Sequence, residues 1–427
     1  MQQFDVIIIG VGPGGMDAAK YAIAQGRNTL LVERDLLGGT CLNRGCIPTK
    51  ALCHWADLVR EVPGAVTWAA AQERKNAVVE QLRSNVETAM QKATIVRGEA
   101  RFVDAHTIAV GEERFTAPQI VVATGSRPAA LPIPGAETAL TSDDILALES
   151  LPQSICVIGG GVIGIELACI LHDFGVAVTV VEYCKEILPN FDREVAKRLR
   201  TALTRRGITI VTSAQVTAIA DSGRRVIYQA KGREAEVEAE CTLMAVGRRA
   251  VVPEGLEAVG VKLHRGAIEV DPATMQTAVE GIYAIGDANA LTMLAHVASA
   301  QAKRVFGGDV RLDVVPAAVF SSPECSMVGL TEEQCAERGL NFKVAKAMFR
   351  SNGKALSMEQ PDGLVKLIID ADSRTLLGAH ICGAHAADLI QELAICISAN
   401  LTIDALTRTI HAHPTLGEVV LAAASSL

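Results

Sequence analysis

Apolar and polar positions over the first forty residues fall in a strand, turn, helix, strand order. Residues 5–9 form an apolar run, Gly10-Val11-Gly12-Pro13-Gly14-Gly15 a turn, the stretch to about Gln25 a helix, and residues 28–33 a second strand, which together make a βαβ unit. The order returns later. Residues 155–158 read as a strand, Gly159-Gly160-Gly161-Val162-Ile163-Gly164 as the turn, the stretch to Phe174 as a helix and 177–182 as the next strand. In both copies the third motif glycine stands 18 positions before a glutamate, Glu33 or Glu182. Each unit is followed by short alternating strands, over 94–116 and 208–240, and then by an apolar strand ending in glycine, at Gly125 and Gly247. One architecture therefore occurs twice.

The remaining pattern completes the plan. An amphipathic stretch over 66–92 predicts a long helix, and residues 281–287 a strand ending in the carboxylate of Asp287. From about Val314 the patterning mixes strand and helix without a nucleotide motif. The expected fold is α/β: two Rossmann-like dinucleotide-binding domains, 1–147 with 265–313 and 148–264, plus a C-terminal α+β domain over 314–427.

Charge and composition narrow the partners. A formal charge of -8 over 427 residues, with no Lys/Arg block, gives no attraction to nucleic acid or anionic membranes. No apolar run approaches the ~18 residues of a membrane span, and MQQFDVIIIG lacks the basic flank and length of a signal sequence. Eleven cysteines, an odd number scattered through a large chain, point to a reducing compartment, so a cytoplasmic location is expected.

Chemistry concentrates in the two loops and one cysteine pair. A glycine turn entering a helix lets backbone approach a pyrophosphate and aims free N–H groups at it, while the glutamate on the next strand accepts from ribose hydroxyls. Glu182 favours NAD over NADP, because a carboxylate there repels a 2′-phosphate. In GGTCLNRGCIPTK, Cys41 and Cys46 would diverge by about 140° on a regular helix, so they straddle an irregular turn at Gly45. Pro48 then fits the first turn of a helix beginning just after it, placing Cys46 near a helix N-terminus, where a thiolate is stabilised. Alternatives at this point are a zinc site, which would need two more ligands such as Cys53 and His54, a structural crosslink, or two buried thiols.

GGTC-x4-GC-x-PTK after a GxGPGG loop resembles the pyridine nucleotide–disulfide oxidoreductase family, and the likeness runs through the whole chain. CLNRGCIPTKAL, Met293-Leu294-Ala295-His296 and His411-Ala412-His413-Pro414-Thr415-Leu416-Gly417-Glu418 resemble its lipoamide-type branch. The resemblance implies FAD at Gly10, Gly12, Gly14, Gly15, Glu33, Gly39, Thr40, Lys50, Thr124, Gly125 and Asp287. It implies NAD at Gly159, Gly161, Gly164, Glu182 and Gly247. Cys41 and Cys46 would be the redox-active disulfide, Lys50 and Glu166 an ion pair beside the flavin, and His413 with Glu418 the acid–base pair, with His411 its local competitor; no metal is implied.

The implied reaction passes electrons from a dihydrolipoamide-type dithiol through the disulfide and FAD to NAD+. Partners would be a small-molecule or lipoyl-domain dithiol, a second copy of the chain joined through the C-terminal domain, and a 2-oxoacid dehydrogenase or glycine-cleavage assembly. The competing expectations are an NAD(P)H-dependent reductase of another disulfide or of a metal ion, for which Cys53-His54 is the candidate, and a flavin-only NADH oxidase or transhydrogenase. Gln301 departs from the branch, where a glutamate is usual, and an altered polar contact near the nicotinamide is expected from it.

Overall fold

The first apolar run becomes the strand Val6–Ile9, buried at every residue, as a parallel strand covered on both faces must be. The computed structural model describes residues 1–427, in two compact units. In the first (1–52, 69–129 and 247–312), five parallel strands lie in the order Ile282–Ala284, Gln119–Val122, Val6–Ile9, Thr29–Glu33, Thr94–Arg97. The helix Pro13–Ala24 buries Gly14, Gly15, Ala18, Ala19 and Ala22. These small residues let it lie close to the helix Ala295–Val305, where a Cβ on Gly14 would come within 3.1 Å of the Ala298 methyl. An antiparallel meander, Ala100–Phe102, Thr107–Val110 and Glu113–Thr116, is joined at its edge by Gln2–Gln3.

The second unit (53–68, 130–246 and 313–427) repeats the plan. Its parallel sheet runs Thr209–Val211, Ala177–Val181, Ser154–Ile158, Cys241–Met244, with the helix Val162–Asp173 after the first motif strand. The meander is Ala214–Ala220, Arg225–Ala230 and Arg233–Glu238. A five-stranded antiparallel sheet follows, in the order Ala317–Val319, Cys325–Gly329, Leu376–Cys382, Leu364–Asp370, Phe342–Met348. The helices Ala386–Ser398 and Gly417–Ser425 pack on it over a core that includes Phe349, Leu367 and Ile381.

A buried ion cluster clasps that sheet to the second βαβ half. Lys366 meets Asp192 at 2.8 Å and Glu332 at 2.7 Å, while Asp192 also caps the helix Arg193–Arg206 by accepting from the Glu194 and Val195 N–H groups.

Three local expectations change. Thr94–Arg97 and Thr209–Val211 leave the alternating strands and become parallel edge strands, because each extends a sheet whose neighbour offers an unpaired edge. The strand ending at Asp287 stops at Ala284, and Gly286–Ala288 forms a 3₁₀ turn. The helix expected after Pro48 begins two residues before that proline, as Cys46–Glu61; Pro48 falls in its first turn, where a missing N–H costs nothing.

Candidate functional site

The two glycine loops share one backbone plan. Gly10 and Gly159 take φ of +94° and +108°, and a Cβ on either would meet the carbonyl oxygen of Ala123 or Ala245 at 2.4 Å. Gly15 and Gly164 press on the preceding turn, a Cβ there lying 1.9 Å from the Gly10 oxygen and 2.1 Å from the Gly159 oxygen. Neither helix has a capping side chain at its N-cap, Gly12 or Gly161. Both helix N-termini therefore leave N–H groups to an anion, a cradle that fits a dinucleotide pyrophosphate.

The glutamates, both buried, clamp the loops. Glu33 accepts from the Val11 N–H at 2.8 Å and the Asp35 N–H at 2.9 Å. Glu182 accepts from the Gly160 N–H at 2.5 Å and the Cys184 N–H at 2.6 Å. A carboxylate has about four acceptor sites, so each keeps capacity for ribose hydroxyls. Burial pushes the Glu33 carboxyl up, against the pull of the backbone N–H groups and nearby arginines.

Asp287 sits in its 3₁₀ turn, where the Ser126 hydroxyl donates to it at 2.5 Å and the Arg248 guanidinium lies 3.9 Å away. Arg248 also donates to the Ser126 side chain and carbonyl. Thr124 donates to the Val251 carbonyl, the Gly125 carbonyl accepts from the Val251 N–H, and Gly247 accepts from the Ala129 N–H. These bonds hold the strands Ser126–Pro128 and Arg248–Ala250 together. Gln301, buried, accepts from the Gly286 N–H at 2.7 Å and from Asn289 at 3.1 Å. Its observed contact thus fixes the Asp287 turn. Sequence reading missed Ser126, Arg248 and this role of Gln301; the arginine's place directly after Gly247 was the one available signal.

The cysteines lie where two short-range breaks allow them to meet. Gly38, at φ +94°, opens the short helix Gly39–Arg44 that carries Thr40 and Cys41, and Gly45, at φ −145° and ψ −111°, ends it before Cys46 starts the next. The first helix is seated on the first loop: the Gly38 N–H donates to the Val11 carbonyl at 2.8 Å, and a Cβ on Gly39 would reach the Gly12 Cα at 2.7 Å. Asn43 ties it down through the Leu37 and Gly39 carbonyls and is itself held by Arg83.

Hydrogen bonding to the Cys46 side chain and burial hold the Cys41 thiol well above the usual thiol range. The Lys50 charge and the Cys46 backbone N–H pull it the other way. The two sulfurs and Lys50 therefore form one electrostatic unit.

In the second unit, His413 Nδ1 lies 2.9 Å from Glu418 Oε1 and the ring is exposed, while Glu418 Oε2 accepts from the Thr415 N–H at 2.9 Å. The Thr415 N–H, and then His413, hold the Glu418 carboxyl below its ordinary range. His411 differs: its ring is buried 3.6 Å from Glu392, which burial pushes up. Glu166 is buried on the helix Val162–Asp173 and accepts from the Phe320 N–H at 2.9 Å. Cys53 Sγ lies 3.4 Å from the Phe320 carbonyl.

Comparison with known proteins agrees with this geometry. Residues 4–302 match the family described as pyridine nucleotide-disulphide oxidoreductase, and 315–424 match its dimerisation domain. The dihydrolipoyl dehydrogenase of Geobacillus stearothermophilus is 39% identical, over 98% of this chain and 95% of its own. One from Bacillus subtilis (strain 168) is also 39% identical, over 98% and 96%. Among solved structures, the Cu(II) complex of the HOCl-induced flavoprotein disulfide reductase RclA from Escherichia coli superposes with a TM-score of 0.91 at 28% identity, covering 100% of both chains.

Proposed function

Because this chain belongs to the pyridine nucleotide-disulphide oxidoreductase family, we propose that it oxidises a dihydrolipoyl dithiol at Cys41–Cys46 and delivers the electrons to NAD+. It is a flavoprotein disulfide oxidoreductase using FAD and NAD(H), and it carries the family's dimerisation domain. The observation that carries the proposal is the Cys41–Cys46 hydrogen bond beside Lys50, on helices seated against the first glycine loop.

FAD is assigned to residues 1–147 with 265–313, held by Gly10, Gly12, Gly14, Gly15, Glu33, Gly39, Thr40, Lys50, Thr124, Gly125 and Asp287. NAD is assigned to 148–264, held by Gly159, Gly161, Gly164, Glu182 and Gly247. Residues 314–427 form the interface between protomers. When bound, FAD supplies the two-electron carrier between the thiol pair and NAD+.

The chain's own residues handle the sulfur and proton chemistry. A substrate thiolate attacks the Cys41 sulfur of the disulfide, the Cys41–Cys46 bond breaks, and Cys46 leaves as a thiolate at a helix N-terminus. The second substrate sulfur then attacks the first, closing the substrate disulfide and releasing Cys41. His413, held by Glu418, takes the proton of the attacking thiol and returns it to Cys41; in the homodimer it serves the cysteines of the partner protomer. Lys50 keeps positive charge beside the cysteine pair. Work in a reducing cytoplasm, on a free dithiol or on the lipoyl domain of a 2-oxoacid dehydrogenase or glycine-cleavage assembly, follows from the same reading.

A second reading has one support: RclA, the structural relative above, was solved with Cu(II). A steady-state screen with dihydrolipoamide, glutathione disulfide and Cu(II) separates the two. Turnover of dihydrolipoamide that Cys46→Ser abolishes while flavin stays bound is the expected result. Absence of turnover on dihydrolipoamide overturns the proposal, and unaltered NADH oxidation in Cys46→Ser with no thiol activity would favour a flavin-only oxidase.

A further inference from the structure

A second pair of cysteines faces itself in the C-terminal sheet. The strands Cys325–Gly329 and Leu376–Cys382 run antiparallel, with Cys325 directly opposite Cys382. In that register the Gly383 N–H donates to the Glu324 carbonyl and the Leu330 N–H to the Leu377 carbonyl, each at 2.9 Å. Hydrogen-bonded pairs therefore fall on either side, and the cysteines occupy a non-hydrogen-bonded position, where opposed Cα atoms approach to about 4.5 Å. A disulfide spans about 4.4–6.8 Å between Cα atoms. The Cys382 side chain adjoins the Cys325 thiol closely enough to raise it, and both residues are fully buried. Their strand neighbours Ser326 and Ile381 point to the opposite face, where Ser326 bonds to the Ala386 carbonyl. Cys325 and Cys382 share the other face, and Cys169, on the helix Val162–Asp173 that leaves the second glycine loop, is near enough to act on the Cys325 thiol.

We propose that Cys325 and Cys382 are a second oxidisable dithiol, separate from Cys41–Cys46, which a hydroperoxide converts to a cross-strand disulfide. One sulfur attacks the peroxide, the O–O bond breaks and water leaves; the other sulfur attacks the resulting sulfenic acid, the S–S bond forms and a second water leaves. Hydrogen peroxide is small and uncharged, so reaching the pair carries no charge into the core. Burial, and then Cys382, hold the Cys325 thiol well above its ordinary range, so it is a poor nucleophile at neutral pH. The pair responds only after more reactive thiols have been consumed, and it then staples the sheet that lies under the second loop's helix.

The test treats the holoenzyme with increasing hydrogen peroxide, blocks remaining thiols with N-ethylmaleimide in denaturant, digests without reductant and maps peptides by mass spectrometry. The expected result is a Cys325–Cys382-linked peptide that dithiothreitol releases. Oxidised protein should also melt several degrees above identically treated Cys382→Val, because the link restrains the unfolded chain. Cys325→Val provides the same control if Cys382→Val fails to fold. Both cysteines recovered separately, as maleimide adducts or sulfonic acids, at doses that oxidise the surface thiols completely would overturn the proposal.

Discussion

The two glycine loops share the hydrogen bonds of their turns and flanking strands yet differ in what lies on them. Gly38, on the turn before the cysteine helix, returns a hydrogen bond to Val11 in the first; Leu188 makes the matching bond to Gly160 in the second. The first loop is then covered by Gly39, whose backbone comes so close to Gly12 that no side chain fits. In the second, a Cβ on Gly161 would meet open space, Val162 is exposed, and Tyr183 beside Glu182 is 71% exposed. Duplication supplied one cradle twice. Covering one copy with a redox helix makes it suited to a resident carrier, whereas the open copy suits a cosubstrate that comes and goes.

Breaking the cradles should separate these roles. Gly15→Ala and Gly164→Ala each drive a methyl into a backbone carbonyl, a clash costing about 3 kcal/mol. Gly15→Ala should purify without flavin, while Gly164→Ala should stay yellow and lose NAD+ reduction. Flavin loss in both would mean that the copies do not act independently. Gly39→Ala, at φ +59° and against Gly12, should cost about 1–3 kcal/mol. It should lower flavin occupancy and dithiol oxidation together, with NAD+ affinity unchanged by calorimetry.

The glutamates allow a finer comparison. Either glutamine variant turns one accepting oxygen into a donor facing a backbone N–H, at about 1–3 kcal/mol, or roughly 5–150-fold in affinity. Glu33→Gln should raise the flavin dissociation constant by that factor. Glu182→Gln should raise KM for NAD+ at unchanged kcat and narrow the preference over NADP+.

The smallest effect concerns pH. Because burial raises Glu33, it protonates at milder acidity than an ordinary glutamate and loses acceptors that the loop and ribose need. A folded-state pKa above the unfolded one means that its linkage favours folding below the unfolded pKa and disfavours it as pH rises through the folded value. Acidification should therefore release flavin before the fold unfolds, measured by flavin fluorescence against far-UV circular dichroism.

Much of this was legible in residue order, for identifiable reasons. Glycines that must take positive φ, and apolar runs buried on both faces, leave local marks, so both βαβ halves and the break at Gly45 could be read. Contacts created by topology leave none. Ser126 and Arg248 meet only because the strands Ser126–Pro128 and Arg248–Ala250 pair, and Cys325 meets Cys382 only through sheet register. His413 was set apart from His411 by the proline after it and the spacing to Glu418; their surroundings were not legible, one ring being enclosed beside Glu392 and the other exposed and held by Glu418.

Anaerobic dithionite titration of the flavin-loaded protein bears most directly on whether Cys41–Cys46 works as an electron-carrying pair. The account predicts that wild-type protein takes up twice the reducing equivalents of Cys46→Ser, with two additional thiols appearing per chain. Equal uptake by the two proteins, with flavin bound in both, would contradict it.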